Sequence, residues 1–161
     1  MGLESDLYYY QPASEGTHEL SAVLERVGAE RTVNVEASPY YVLRGPDYWI
    51  DIQTGMPSEG LYPSAFIRVA LTNPPMVLNV LKDLFSALLA SGGGYIEDRN
   101  KNVFDVTHQS GHQYRQIDEG TWQSIRAAFE TRRTQFQQHF GNFVAPISGD
   151  DVFEYIRQHH T

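Results

Sequence analysis

The sequence predicts an α+β fold: a mainly antiparallel sheet with ferredoxin-like β-α-β-β-α-β elements, followed by two C-terminal helices. Three observations carry that expectation. Between Ser64 and Val106 an alternating strand (Phe66 to Leu71) runs through Asn73-Pro74-Pro75 into an apolar helix and leaves through Gly92-Gly93-Gly94 toward another strand-like segment. From Arg31 to Gln53 the apolar period falls to two, and after Thr121 it rises to that of a helix. One domain over residues 1–161 follows, with the sheet and two helices in 1–117 and a helical appendage in 118–161 packed on it.

Each element has its own local chemistry. Leu7-Tyr8-Tyr9-Tyr10 reads as a short strand closed by Pro12. Ser14 or Thr17 suits a helix N-cap, Leu20, Val23, Leu24 and Val27 form the apolar stripe, and Gly28 suits the exit. In the next stretch Val33 and Val35 alternate with Asn34 and Glu36, Tyr41 and Leu43 with Val42 and Arg44, and Ile50 and Ile52 with Trp49 and Asp51. These are two or three antiparallel strands, with Gly45-Pro46-Asp47 turning between them. Thr54 to Pro63 reads as a loop. The helix from Pro74 to Ser91 is apolar enough to be the core helix, since proline suits a first helical turn and glycine a helix end. Tyr95 to Asp98 and Val103 to Val106 read as a hairpin around a polar turn, and Thr107 to Gly120 as irregular chain. Trp122, Ile125, Phe129, Phe136 and Phe140 then hold one helical face up to Gly141, and Ser148-Gly149-Asp150-Asp151 caps a last short helix.

Composition narrows the class. With 41% apolar and 20% charged residues the chain is an ordinary globule, and it has no cysteine to form a disulfide, a thiolate metal site or a thiol nucleophile. No secretory signal or membrane span is visible, so a cytoplasmic address is expected. The formal net charge is −8. Residues 1 to 63 hold ten acids and three arginines, a net of −7, which disfavours direct nucleic-acid binding and favours a basic partner. The cations are ten Arg and two Lys, and Arg is the residue suited to fixed ion pairs.

Catalytic signatures are weak. His108 and His112 could share a metal ion with Asp98 or Asp105, yet they flank Ser110-Gly111 in a loop, and Gln109 stands where the zinc-protease motif places its glutamate. Glu97-Asp98 with Asp105 brackets a turn, and Asp150-Asp151 sits in a helix first turn where anions favour the dipole. The glycine triplet follows a helix instead of opening one, so no helix N-terminus aims at it. No catalytic residue and no cofactor is expected.

The aromatic set is more informative. Seven of the ten tyrosines lie in the first 62 residues. If Ile50, Ile52, Ile67, Val69 and Leu71 face the helices, alternation sends Trp49, Asp51, Phe66 and Arg68 to the opposite face. With Glu36, Tyr40, Asp47, Tyr48 and Glu59 they form the candidate partner-binding set, because aromatics anchor interfaces and acids select a basic partner. The alternative is that the third helix covers this face with Trp122, Phe129 and Phe136, making those aromatics core.

The run Phe66-Ile67-Arg68-Val69, the Asn73-Pro74-Pro75 helix start, the leucine-rich helix and Gly93-Gly94-Tyr95-Ile96-Glu97-Asp98 resemble a strand-helix-strand pattern in small acidic immunity proteins encoded beside bacterial polymorphic toxins. That resemblance covers roughly a quarter of the chain. It implies a non-enzymatic inhibitor that binds and occludes one basic toxin domain, and it carries over no individual residue. Two other readings stand beside it: a small metal-dependent or hydrolytic enzyme using His108, His112 and the nearby acids, and a phage anti-defence acidic binding protein.

Overall fold

Seven antiparallel strands form one sheet in the order β2-β3-β4-β5-β1-β6-β7. They are β1 (Ser5–Gln11), β2 (Glu30–Thr32), β3 (Tyr40–Gly45), β4 (Tyr48–Thr54), β5 (Ala65–Ala70), β6 (Tyr95–Asp98) and β7 (Val103–Asp105), with helices α1 (Leu20–Arg26), α2 (Met76–Gly92), α3 (Glu119–Phe140) and α4 (Val152–His159). The structure is a computed structural model, and it describes residues 4–12, 20–32, 40–54, 65–92, 94–98, 103–105 and 119–159. Within the sheet, β1-α1-β4-β5-α2-β6 has the neighbour order β6-β1-β5-β4, which is the split β-α-β arrangement expected. The strands β2 and β3 extend one edge of that unit and β7 the other.

Local chemistry sets the helix ends. Gly28 adopts φ +96°, with its N–H bonded to the Glu25 carbonyl and the Ala29 N–H to the Leu24 carbonyl, a Schellman exit from α1. Gly141 ends α3 at φ +111°. After α2, Gly94 takes φ +80°, and a Cβ there would stand 1.9 Å from the Gln11 carbonyl oxygen, so the chain passes β1 at a distance only glycine allows. Before α2, Asn73 is fully buried; its amide donates to the Ala70 carbonyl and its Oδ1 accepts the Trp49 backbone N–H at 2.8 Å. This explains why the turn at Asn73-Pro74-Pro75 is fixed to β4 as well as to β5.

One sheet face carries the core. Ile50, Ile52, Ile67 and Val69 are fully buried there, as the alternation requires, against Leu24 of α1, Leu81, Leu84, Phe85 and Leu88 of α2, and Phe129 of α3. Tyr8, Tyr10 and Tyr41 join them: Tyr8 packs edge-on to Phe85 with ring centroids 5.1 Å apart, and the Tyr10 hydroxyl donates to the Leu88 carbonyl. α3 lies beside α2, with Trp122 edge-on to Phe85 and Arg132 paired to Asp6 on β1. It therefore does not cover the opposite face. Part of that face is crossed instead by the chain after α3, a strap in which the Ala145 N–H bonds to the Thr72 carbonyl and a single 3-10 turn, Gly149–Asp151, rests on β5 and β1.

Candidate functional site

Backbone register builds the outer face row by row. Thr32, Tyr40, Gln53, Phe66, Tyr9 and Glu97, one from each of β2, β3, β4, β5, β1 and β6, stand in a single cross-strand line. All six are half-buried. The adjacent line is Val42, Asp51, Arg68 and Leu7, and the strap lies over it. Paired strands place these side chains about 5 Å apart, so three rings and an acid share one rigid surface.

The strapped line is a polar network. Asp51 is 5% exposed, and its carboxylate accepts from the Tyr40 hydroxyl, from Trp49 Nε1 at 2.9 Å and from Ser148 Oγ at 2.7 Å. Ser148 Oγ in turn accepts the Asp150 N–H, capping the 3-10 turn. Arg68 extends the network, pairing with Glu4 and Asp150 at 2.5 Å each and donating from Nε to Ser5 Oγ. Gly149 fits between Ser5 and Arg68 only because it lacks a Cβ, which would lie 2.3 Å from Ser5 Oγ. Burial pushes the Tyr40 hydroxyl well above its ordinary range, with the Asp51 hydrogen bond adding to it. Burial pulls the Arg68 guanidinium down, but its hydrogen bonds to Asp150 and Glu4 outweigh that and hold it above its ordinary value.

The residues singled out by sequence fall into three groups. Tyr40, Trp49, Phe66 and Arg68 do share the outer face with Asp51. Asp51 and Arg68, however, are internal to the network and are not free rim charges; the reason is the strap, which arrives from 97 residues downstream. Asp47 is exposed in the β3–β4 turn, and Tyr48 folds its ring over Gly45 and packs against the core. Trp49 is half-buried, with the Arg44 guanidinium 5.4 Å above its ring. Glu36, Glu59, His108 and His112 lie outside the described residues.

Sequence reasoning missed Tyr9 and Ser148. Tyr9 was legible in principle, since alternation through Tyr8-Tyr9-Tyr10 must send the middle ring away from its neighbours. Ser148 carried only its signal as an N-cap. A second polar cluster was also missed: on the core side Asp6, 2% exposed, accepts from the Tyr8 hydroxyl and pairs with Arg132 at 3.1 Å, and burial together with Asp6 pushes the Tyr8 hydroxyl up.

Among the described residues no group of three or more His, Cys, Asp or Glu side chains is arranged to hold a metal ion, and no helix is long and apolar enough to cross a membrane. What the outer face offers chemically is half-exposed ring surface beside carboxylates on a sheet fixed by hydrogen bonds. No protein-family model, curated protein or solved structure matches the chain.

Proposed function

We propose that this protein is a non-enzymatic binding protein, an immunity protein acting in the cytoplasm that recognises a basic toxin domain and occludes its active site. One observation carries the reading: the line Tyr40, Gln53, Phe66, Tyr9 and Glu97 holds three half-buried rings on rigid strands, Phe66 and Tyr9 adjacent and Tyr40 one strand further along, beyond Gln53. Rigid aromatics lose little rotamer freedom on binding and serve as interface anchors. The exposed Asp47 in the β3–β4 turn favours a cationic partner and repels nucleic acid. The net charge of −8 adds to the same preference.

The test is to look for a toxin domain encoded by a neighbouring gene and, where one is found, to co-express it with this chain and titrate the purified pair. Rescue of growth is expected, with Phe66→Ala weakening the complex by about 2 kcal/mol, roughly thirtyfold in Kd. Neutralising Asp47 should slow association more at low salt than at high salt. Failure to rescue, or an unchanged Kd for a Tyr9→Ala/Phe66→Ala double variant, would show that this face is not the inhibitory surface.

A further inference from the structure

The two ring side chains at the β3–β4 end of the outer face are not held by the sheet alone. The Tyr40 hydroxyl and Trp49 Nε1 both donate to Oδ1 of Asp51, while the other carboxylate oxygen, Oδ2, accepts from Ser148. Ser148 is 8% exposed and lies in the strap, far from β4 in sequence. The strap itself is pinned on both sides of Ser148: the Ala145 N–H is bonded to the Thr72 carbonyl, Gly149 is wedged against Ser5 and Arg68, and Val152 is fully buried. A carboxylate fixed at one oxygen by a pinned hydroxyl presents its other oxygen in one orientation.

We propose that Ser148 is a positioning residue for the binding face: through Asp51 it sets the orientation of Tyr40 and Trp49, so that the C-terminal strap determines the shape of a surface built on strands distant from it in sequence. The positioning rests on the hydrogen-bond geometry alone, and its consequence for binding rests on the function proposed above. A purely capping serine would satisfy the Asp150 N–H and nothing else. Here the same hydroxyl accepts from the strap and donates to the sheet, so removing it frees Asp51 to turn and deprives the two aromatic donors of a fixed acceptor.

The chain has two tryptophans, so a 15N-labelled sample gives two indole N–H signals, with the buried Trp122 as internal control for Trp49. Ser148→Ala is expected to move the Trp49 indole signal and speed its exchange with solvent at least tenfold, with Trp122 unchanged. Ser148→Thr should restore both. Should Ser148→Ala fail to fold, Ser148→Gly removes the same donor while glycine remains an acceptable helix cap. An unmoved Trp49 signal in a folded Ser148→Ala or Ser148→Gly protein overturns the proposal, as does an equal disturbance of Trp122. Titration of the same variants with the cognate toxin domain then separates the two readings. A displaced Trp49 with unchanged affinity leaves the positioning intact and removes this end of the face from the interface.

Discussion

Replacing Asp51 by Asn tests the outer-face network most directly, because it keeps the size of the side chain and changes only its hydrogen-bonding capacity. The carboxylate accepts three donors, two at Oδ1 and one at Oδ2, with 5% of the residue exposed. An asparagine keeps one acceptor and turns the other oxygen into a donor. If its oxygen stays toward Tyr40 and Trp49, its NH2 meets Ser148 and that bond is lost or reversed; if the amide flips, two donors face an NH2. At least one hydrogen bond to a charged acceptor disappears, worth about 1.5–3 kcal/mol, and a buried donor is left badly placed, so the expected loss is about 2–4 kcal/mol. Using about 2.1 cal/mol/K per residue over 161 residues, each kcal/mol lowers Tm by roughly 3 °C, giving a fall of about 6–12 °C. Thermal and urea melts followed by circular dichroism measure it, with the exposed Asp151→Asn as the control. A shift of less than about 2 °C for Asp51→Asn would refute the reasoning and return Asp51 to the status of a rim charge. The cycle with Ser148→Ala should show strong coupling, because both changes remove the same bond.

Other outcomes follow from the same geometry. Burial raises the Tyr8 and Tyr10 hydroxyls above their ordinary value of 10, so the folded state holds those protons more tightly. That contribution to stability is whole below pH 10 and is lost as pH rises through the folded values, so tyrosinate absorbance from these rings should appear only together with unfolding, and Tyr10→Phe should flatten the alkaline limb. Gly94→Ala must open the approach of Gln11 and adopt a disfavoured φ, at a cost of about 3 kcal/mol or more, seen as loss of soluble protein or a much lower urea midpoint. Arg132→Met leaves the Asp6 carboxylate buried without its cation and should cost about 3–5 kcal/mol, much of it recovered when Asp6→Asn is added; equal melts for the single and double variants would deny the pair a structural role. Phe153 is 49% exposed, so Phe153→Ser should change Tm by only about 1–2 °C.

Much of the fold was written in short-range chemistry. The exits at Gly28 and Gly141, the entry after Asn73-Pro74-Pro75, and the apolar faces of α2 and α3 depend on residues within a turn or two of one another, and sequence shows them directly. The split β-α-β arrangement followed from element order, since few topologies remain once short antiparallel connections are required. The site was harder to read because its decisive partners are distant. Period two placed Asp51 on the outer face correctly, but nothing near Asp51 announces that Ser148 will cross over to bind it. The same limit affected the third helix. Its ring spacing defined a buried face without saying which layer it would enter, and the edge-on contact of Trp122 with Phe85 assigns it to the core side.

The charge count needs the same correction, with a consequence for how a partner would be met. Of the ten acids in residues 1 to 63, Glu4, Asp6 and Asp51 are buried, and each is engaged with Arg68, Arg132 or the Tyr40–Trp49–Ser148 donors. Two of the positive charges that balance the C-terminal portion, Arg68 and Arg132, are thereby spent inside the fold, where they orient strands and helices and project little field. The long-range field comes instead from exposed acids such as Asp47 and Asp151, since the exposed Glu30 and Asp150 are paired with Arg44 and Arg68. Asp47 lies in the β3–β4 turn and Asp151 on the strap, both outside the aromatic line. Under the function proposed above, rings and acids would divide the work by position: a peripheral, salt-screened attraction would orient an approaching cationic surface, and the aromatic line is where desolvation and tight contact would determine how long it stays.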